Sequence, residues 1–514
     1  MIRHNSALWR ASAIAFSSSF CVMVIELIAA RILAPYIGVS LYTWTSIIGV
    51  VLTGIALGNY LGGKIADRYA SPVLLMAIFL AGALATIAVL PATKAVGSSD
   101  LFSNLPVMLN FTLKTTFIFF LPAIILSMVS PLVIKLTLAD LGKTGGVVGT
   151  IYACSTAGSI LGTFLTGFFF ILWFGTRTIV WLVAGVLILT GIISWLSWKI
   201  QGRWKFSLKN LAIWLAIVGV ILASGSLCQF RVKWQESFTK ESNYYSIRVL
   251  DAGGDFKMLV LDHLIHSYVI PDRPMVMRYE YLRAFEEILR YTNGSNEALR
   301  VLHLGGGGYS FPRYLEAVYP GSVNEVVEID PAVTQVAHQE LGLPMATSIK
   351  TYNQDARLFL IQRKAGEKYD YVVGDVFNDF STPYHLTTLE FDRLVKANMT
   401  EDGIYLLNII DDYQRGRYMP SLIYTLKRVF TSVYLFGMKE KWGSPGRSTF
   451  VIVATDRCID LAHFERSITE NGARQATSYP HDEAELEQYL AEGSPLLLTD
   501  DYAPTDILVV WRFR

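Results

Sequence analysis

Four consecutive glycines directly follow the apolar residues 301–304, a run typical of a buried strand. Glycine at the end of a strand lets the backbone pass close to a ligand, because a Cβ at that place would collide with the bound molecule. No Lys-Ser or Lys-Thr pair follows, which excludes the phosphate loop of nucleoside triphosphatases. Gly305, Gly306, Gly307 and Gly308 are therefore predicted to bind a nucleoside-type ligand.

Three acids follow at intervals that suit the ends of the next strands. Glu328 comes roughly 20 residues after Gly305, where an acid accepts both hydroxyls of a ribose. Asp355, followed by Ala356, is placed to accept a hydrogen bond from an adenine amino group, and Asp375 ends the fourth strand, over the reacting carbon. Each acid taken alone is typical of a cap or turn, but the three in succession predict one nucleoside site with a catalytic carboxylate.

The elements that position these residues alternate between strand and helix. Such alternation predicts a mainly parallel, doubly wound sheet of the Rossmann-like, class I methyltransferase type, with ligands at the carboxyl ends of its strands. A small β-subdomain precedes it, formed by a hairpin of strands 244–250 and 257–261. The predicted units are helix 279–289, strand 300–304, helix 311–318, strands 323–328 and 349–352, helix 356–363, strand 369–373, helix 387–397, strand 403–408, helix 414–429 and strands near 432–436 and 449–454.

The N-terminal part of the chain has a different composition. Of 514 residues, 52% are hydrophobic and only 17% are charged, and the mean hydropathy is +0.38, which is too apolar for a wholly soluble enzyme. A net charge of +1 gives no basic surface for nucleic acid, so that partner is excluded. Stretches of the roughly 20 apolar residues that cross a bilayer are predicted at 11–35, 42–63, 72–92, 115–138, 147–172, 177–198 and 208–228.

Three domains follow from these patterns. Residues 1–230 form an α-helical membrane domain with about seven spans, residues 231–290 form the small β-subdomain and a linking helix, and residues 291–514 form the nucleoside-binding α/β domain. The four cysteines show neither Cys-x-x-Cys nor histidine pairing at ligand spacing, so no metal site is expected.

The orientation of the membrane domain leads to two conflicting expectations. Lys and Arg predominate in the loops on the N-terminal side, which places the N-terminus in the cytoplasm of a multi-pass protein of the inner membrane. Seven spans would then put the α/β domain outside, whereas S-adenosyl compounds are made inside. Either one span is miscounted, the stretch 93–114 being the least clear, or the domain faces outward and draws its substrate through the membrane domain. We favour the cytoplasmic face.

Polar and small residues within the spans leave alternatives open. Gly54, Gly58, Gly62 and Gly63, like Gly158, Gly162 and Gly167, recur at helical spacing. Such glycines either pack helices closely or line a substrate path. Glu26 lies inside the first span, where an acid is costly to bury. It is either functional or paired with Arg31 near the helix end.

The chain resembles the spermidine synthase family, and more closely its membrane-fused branch, in which a multi-span block precedes the synthase domain. The resemblance covers the whole chain. In the membrane half it rests on Glu26, Arg31, Pro35, Gly38, Trp44, Gly63 to Arg68 and Tyr152 to Gly167. In the soluble half it rests on Val301 to Gly308, Val327 to Asp330, Asp355 to Arg357, Tyr369 to Asp375 and Pro383 to Thr388.

The resemblance implies transfer of an aminopropyl group from decarboxylated S-adenosylmethionine to a diamine, with release of methylthioadenosine and without a metal. Glu328 would then hold the ribose and Asp355 the adenine, while Asp375 would take a proton from the attacking amine and Tyr279 would line the substrate. Further substrate-side positions are His266, Asn378, Asp379 and Trp442. We expect the lipid bilayer, a small-molecule amine or S-adenosylmethionine (SAM), and a second copy of the chain as partners.

Three departures from the family pattern bear on the substrate. At the position of Gly308, the family has an acid that pairs with the aminopropyl amine. Asn378 stands at the position of the family's second acid. Glu280 stands where the family usually has a histidine. Without the acid, SAM with its carboxylate should be better tolerated. The alternatives are therefore SAM cleavage, aminocarboxypropyl transfer or methyl transfer without a polyamine acceptor. A third hypothesis, a polyamine or metabolite transporter, rests on Glu26 and the Asp67-Arg68 loop.

Overall fold

The computed structural model describes two units of the chain, 1–233 and 234–514. The described residues are 2–97, 99, 102, 105–138, 144–199, 236–293, 298–363, 366–377, 382–438, 446–472 and 476–510.

The N-terminal unit is helical wherever it is described over a long stretch, because its apolar runs satisfy their backbone hydrogen bonds within the helix. Six described helices are long and apolar enough to cross a membrane, and the seventh predicted stretch, 208–228, lies outside the described residues. The elements are α1 (Ile2–Ile37), α2 (Leu41–Tyr69), α3 (Pro72–Ala92), a π-helical turn (Thr93–Gly97), α4 (Val107–Ser127), α5 (Val129–Thr137), α6 (Thr144–Leu165), a second π-helical turn (Thr166–Phe170), α7 (Ile171–Trp173) and α8 (Thr176–Lys199).

Glycines allow close helix contacts in this unit, and two of them show how close the helices come. A Cβ on Gly58 of α2 would lie 2.3 Å from the Ile124 carbonyl oxygen of α4, and one on Gly158 of α6 would lie 2.3 Å from the Phe16 carbonyl oxygen of α1. Gly63 and Gly167 have no such neighbour within 4 Å among the described residues. Tight packing, rather than a lined path, accounts for the glycines that face another helix.

The C-terminal unit begins with a four-stranded antiparallel sheet, which is the expected small β-subdomain. Its order is β1 (Glu236–Glu241), β2 (Ser246–Asp251), β3 (Lys257–Leu261) and β4 (Leu264–Val269). Alternate residues of these strands, such as Ile247, Val249 and Leu259, are buried. Helix α9 (Glu280–Asn293) then leads to the main sheet.

The main sheet has eight strands in the order β12-β10-β11-β9-β8-β5-β6-β7. The pairs from β9 to β7 are parallel, whereas β11, β10 and β12 are antiparallel. The strands are β5 (Arg300–Leu304), β6 (Val323–Val327), β7 (Lys350–Tyr352), β8 (Tyr369–Gly374), β9 (Met399–Asp412), β10 (Ser432–Met438), β11 (Arg447–Thr455) and β12 (Ser478–Pro480). The helices are α10 (Ser310–Val318), α11 (Pro331–Glu340), α12 (Ala356–Gln362), α13 (Leu389–Ala397), α14 (Tyr418–Leu426), α15 (Phe464–Gly472), α16 (Glu483–Gly493) and α17 (Thr505–Val510), with a short 3₁₀ turn (Tyr384–Leu386).

Three predicted elements need correction. Helix α11 was missing from the prediction, although Asp330 caps it and Pro331 occupies its first turn. Strand β9 extends to Asp412, and α14 begins only at Tyr418. The reason is that the Asp412 carboxylate accepts hydrogen bonds from the next residues' amides, at Gln414 and Arg415, which forms a turn in place of the predicted first helical turn.

Candidate active site

The glycine turn and the predicted acids lie at the carboxyl ends of adjacent parallel strands. Strand β5 runs between β6 and β8, and its neighbours hold its end in place. The Gly305 amide donates to the Val327 carbonyl oxygen at 2.9 Å, and the Asp375 amide donates to the Leu304 carbonyl oxygen at 2.9 Å. The turn at Gly305 and the catalytic candidate Asp375 therefore sit at the same edge of the sheet.

Gly305 permits this close approach of two strand ends. Its φ is +94°, a conformation that residues with a Cβ rarely adopt. A Cβ there would lie only 2.3 Å from the Asp375 carbonyl oxygen. Any substitution at Gly305 would push the glycine turn away from Asp375.

The Glu328 carboxylate is held against the glycine turn by backbone amides. Its Oε2 accepts from Gly306 at 2.9 Å and from Gly307 at 3.1 Å, and its Oε1 accepts from Asp330 at 2.9 Å. Glu328 is 6% exposed, and burial raises its pKa while the three amides lower it. Oε2 accepts two of these hydrogen bonds and Oε1 only one, so Oε1 keeps a lone pair that can accept a hydrogen bond from a ligand hydroxyl.

Two side chains hold the Asp375 carboxylate, and the sequence analysis singled out neither. The Tyr281 hydroxyl donates to Oδ2 at 2.8 Å, and the Asn408 amide donates to Oδ1 at 2.9 Å. Burial raises the pKa of Asp375, and these two hydrogen bonds oppose the rise. The signal for Asn408 was available in the sequence, since it is the only polar residue between Ile404 and Ile410 apart from a tyrosine.

Tyr279, the predicted substrate-side residue, has a different contact. Its hydroxyl donates to the Ile265 carbonyl oxygen of β4 at 2.8 Å. Its ring lies 5.1 Å from the Tyr268 ring and 5.5 Å from the Tyr281 ring, measured between centroids. Burial and the nearby Tyr268 and Asp375 raise the pKa of Tyr279, which keeps its hydroxyl protonated. The three tyrosine rings form an aromatic wall next to Asp375.

Asp355 is both a helix cap and the partner of a histidine. Its Oδ1 accepts from the Arg357 and Leu358 amides at the start of α12, which begins with Ala356. Its Oδ2 lies 2.8 Å from His385 Nε2, and this hydrogen bond is the main reason that the pKa of Asp355 is lowered. His385 belongs to the motif of residues 383–388, but the sequence alone did not indicate its pairing with Asp355.

Strand β4 closes the space beside Gly308. The Gly308 amide donates to Ser267 Oγ at 3.0 Å, and a Cβ on Gly308 would lie 2.6 Å from the Ser267 Cβ and 2.9 Å from Val269 Cγ2. No side chain fits at this position unless β4 moves. His266, the neighbouring predicted substrate residue, has its ring 6.4 Å from the Tyr245 ring.

The remaining predicted site residues, Asn378, Asp379 and Trp442, lie outside the described residues. Within the part of the chain that the structure describes, no group of three or more His, Cys, Asp or Glu side chains is arranged to hold a metal ion.

Comparison with known proteins supports the nature of the C-terminal half. No family model matches the chain. The polyamine aminopropyltransferase of Vibrio vulnificus is 26% identical over 218 residues, which is 41% of this chain and 69% of that protein. The probable polyamine aminopropyl transferase of Bifidobacterium longum is 27% identical over 233 residues, which is 42% of this chain, and the match spans only 49% of that protein. An N-terminal histidine N-methyltransferase of Emericella nidulans is 35% identical over 116 residues, 22% of this chain and 20% of that protein.

Solved structures are less similar to this chain than these sequence relatives are. A probable spermidine synthase from Corynebacterium glutamicum has a TM-score of 0.46 at 22% identity, covering 52% of this chain and 97% of that one. The spermidine synthase of Thermotoga maritima has a TM-score of 0.39 at 14% identity, covering 52% of this chain and 99% of that one. On the sequence matches, part of this chain is similar to polyamine aminopropyltransferases; the N-terminal unit contains six described helices that are long and apolar enough to span a membrane.

Proposed function

We propose that the C-terminal unit transfers an aminopropyl-type group from SAM or its decarboxylated form to an amine, with release of methylthioadenosine. The observation that carries the proposal is the Asp375 carboxylate, held by Tyr281 and Asn408 at the strand end beside the glycine turn. A carboxylate with a raised pKa in this position is suited to accept a proton from an attacking amine.

The proposed reaction is a single displacement at carbon. The amine nitrogen attacks the CH₂ group next to the sulfonium, the new N–C bond forms, and the C–S bond breaks. The electron pair of that bond stays on sulfur and gives the neutral thioether of methylthioadenosine, and the proton leaves the nitrogen for Asp375. An ammonium cannot attack, so the carboxylate is needed to keep the nitrogen lone pair available.

The ligand-binding roles follow from the strand ends. Gly305, Gly306 and Gly307 would let the nucleoside approach the backbone, and Glu328 would accept from the ribose hydroxyls. Asp355 would face the adenine amino group next to Ala356. The wall of Tyr268, Tyr279 and Tyr281 would contact the cationic group of the substrate, since aromatic faces attract ammonium and sulfonium groups.

A second candidate, in which SAM itself is consumed, is favoured by Gly308. The space beside Gly308 is filled by Ser267 and Val269, so the unit cannot place a carboxylate there to hold the ammonium of the decarboxylated compound. In the cleavage version, the carboxylate oxygen of SAM attacks its own γ-carbon and the C–S bond breaks. The products are homoserine lactone and methylthioadenosine, and no amine is required.

We also propose that the helical unit lies in the inner membrane with the N-terminus in the cytoplasm. The support is the basic residues at the ends of α2 and α5. Lys135 Nζ lies 2.8 Å from Asp67 Oδ1, so the ends of these two helices lie on the same side of the unit, as the loop assignment requires.

The test supplies the purified full chain with labelled SAM or decarboxylated SAM, each with and without putrescine, and follows methylthioadenosine. Product only from the decarboxylated compound plus diamine supports aminopropyl transfer. Product from SAM without an amine overturns that assignment in favour of cleavage. The absence of product under all four conditions would contradict both candidates. The exposed Asp402, near the start of β9 and away from the carboxyl end of β8, provides a matched control as Asp402→Asn.

A further inference from the structure

Residues 498–502 form a tight turn that packs against helix α13. The Thr499 amide donates to the Tyr502 carbonyl oxygen at 3.1 Å, and the Tyr502 amide donates to the Thr499 carbonyl oxygen at 3.0 Å. The Leu389 amide, at the first residue of α13, donates to the Leu498 carbonyl oxygen at 2.8 Å. Backbone hydrogen bonds therefore close this turn and fix it to the start of α13.

The Asp500 carboxylate of this turn binds the segment that carries the predicted adenine contact. Arg357 Nη1 donates to Asp500 Oδ1 at 2.7 Å and Arg357 Nη2 donates to Oδ2, which makes the ion pair bidentate. Thr388 Oγ1 also donates to Asp500 Oδ1, at 2.8 Å. Arg357 is the second residue after Asp355. The ion pair therefore joins two parts of the chain that are 143 residues apart, beside Asp355.

Arg357 also holds the backbone of His385, the histidine that pairs with Asp355. The same Nη1 that binds Asp500 donates to the His385 carbonyl oxygen at 3.1 Å. The His385 ring in turn has its Nε2 2.8 Å from Asp355 Oδ2. Asp355 Oδ1 accepts from two backbone amides at the start of α12, whereas Oδ2 has only His385 as a partner among the described residues. Asp355 Oδ2 therefore keeps a lone pair for a ligand donor.

A contribution to folding stability does not account for this arrangement. The Asp500 side chain is 41% exposed, and exposed ion pairs contribute little to the free energy of unfolding. The geometry is nevertheless specific, because a bidentate pair fixes the plane of the Arg357 guanidinium group. The next acid, Asp501, is exposed and forms no ion pair with the described residues. Of these two adjacent acids, only Asp500 is connected to Asp355.

We propose that Asp500 is a positioning residue of the nucleoside site, which makes the site selective for a ligand with an adenine amino group. Asp500 holds the Arg357 guanidinium group, which holds the backbone of His385. The His385 ring then orients Asp355 Oδ2 towards the base. A 6-amino group donates to this oxygen, whereas the 6-oxo group of hypoxanthine would place a second acceptor against it. The inference rests on the proposed role of Asp355 in binding adenine.

The test measures the binding of methylthioadenosine and of its 6-oxo analogue, methylthioinosine, to the purified full chain by titration calorimetry. The wild type should bind methylthioadenosine about tenfold more tightly, which is the effect of one hydrogen bond to a charged acceptor. Asp500→Ala should weaken methylthioadenosine about tenfold and change methylthioinosine less than about twofold, so that the preference is lost. A purely structural role would weaken both ligands equally. Asp501→Ala, which removes the adjacent exposed acid, is the matched control and should bind both ligands as the wild type does.

An unchanged preference in Asp500→Ala, or an equal loss for both ligands, would overturn the proposal. If Asp500→Ala does not elute as a single folded species, Arg357→Lys decides the question. This variant keeps the charge, but one ammonium group cannot bind both Asp500 oxygens and the His385 carbonyl oxygen as the guanidinium group does. The preference for methylthioadenosine should therefore fall, and an unchanged preference would contradict the positioning role.

Failure of this inference can be distinguished from failure of the proposed reaction. If the wild type does not bind methylthioadenosine, the inference is overturned together with the nucleoside site. If the wild type shows the expected preference and Asp500→Ala loses it, but no methylthioadenosine is released in the activity test, only the proposed reaction is overturned.

Discussion

The two units of this chain treat their buried acids differently. In the C-terminal unit, the acids at the strand ends are surrounded by donors: three amides hold Glu328, and Tyr281 and Asn408 hold Asp375. In the helical unit, Glu26 has no hydrogen-bond donor among the described residues. Donors fix the orientation of the Glu328 and Asp375 carboxylates, whereas nothing of this kind holds the Glu26 carboxylate within the described residues.

The largest expected effect is at Asp375. Asp375→Asn keeps the shape and the contact with Tyr281 but cannot accept a proton. Loss of a general base typically lowers kcat by about 10²- to 10⁴-fold. The measurement is methylthioadenosine release under saturating substrate, with Asp402→Asn as the control that should keep full activity. If Asp375→Asn keeps activity within twofold of the wild type, Asp375 is not the general base and its contacts with Tyr281 and Asn408 serve only the structure.

Glu328→Gln tests whether the Gly306, Gly307 and Asp330 amides need a carboxylate as their hydrogen-bond acceptor. The substitution turns one acceptor oxygen into an NH₂ group that faces backbone donors, so one buried amide loses its partner. We expect a destabilisation of about 1–3 kcal/mol. Faster hydrogen exchange at the Gly306 and Gly307 amides would measure it. Glu340→Gln, which affects only a partly exposed pair with Lys257, should cost less than about 1 kcal/mol.

Asp392 is the exception within the C-terminal unit, and its replacement should stabilise the protein. It is 1% exposed, and neither carboxyl oxygen has a hydrogen-bond partner in the described part of the chain. Asp392→Leu has nearly the same shape and removes an unsatisfied buried group. A gain of about 1 kcal/mol in the free energy of unfolding is expected.

The gain from Asp392→Leu should depend on pH. Burial raises the pKa of Asp392 well above its usual range, so the folded state holds a proton that the unfolded chain releases. The stability of the wild type therefore falls as the pH rises from the unfolded pKa through the folded one. The variant lacks this slope, and its advantage should be larger at pH 8 than at pH 5. An advantage that shrinks with rising pH would contradict the protonated state of Asp392.

Tyr281→Phe should have the smallest effect of these substitutions, and the effect should be confined to the pH dependence of activity. Removing this donor withdraws an interaction that lowers the pKa of Asp375. The carboxylate then binds its proton more tightly, and the acid limb of the pH profile of kcat/KM should move to higher pH. The rate at high pH should change by at most about tenfold. Tyr291→Phe, whose hydroxyl donates to the Asp460 carbonyl oxygen, should leave the profile unchanged. An acid limb at an unchanged pH would contradict the conclusion that Tyr281 lowers the pKa of Asp375.

Much of the fold could be predicted from the residues alone. Local sequence patterns predict the apolar runs of membrane length, the alternation of strands and helices, and the glycine turn after β5. Each of these patterns can be recognised from neighbouring residues in the sequence. Helix α11 was missed because a short amphipathic helix gives a weak periodic signal, although Asp330 and Pro331 mark its start. The long β9 was missed because its last residues are polar, and only the pairing with β11 makes them part of a strand.

The partners of the predicted acids could not be predicted in the same way. Tyr281 and Asn408 are separated from Asp375 by 94 and 33 residues, and His385 is separated from Asp355 by 30. No local period links such residues. Similarly, Gly308 is an ordinary member of a glycine run until Ser267, 41 residues earlier, is found packed against it.

The sequence by itself therefore determined which residues could do chemistry, where the strands end and how much of the chain is apolar enough for a bilayer, because these properties belong to side-chain type and spacing. The tertiary structure decided which of those residues have partners. It surrounds Asp375 and Glu328 with donors, fills the space beside Gly308, and buries Glu26 within the helical unit. These contacts depend on strand order and helix register, which bring distant residues within a few ångströms of one another.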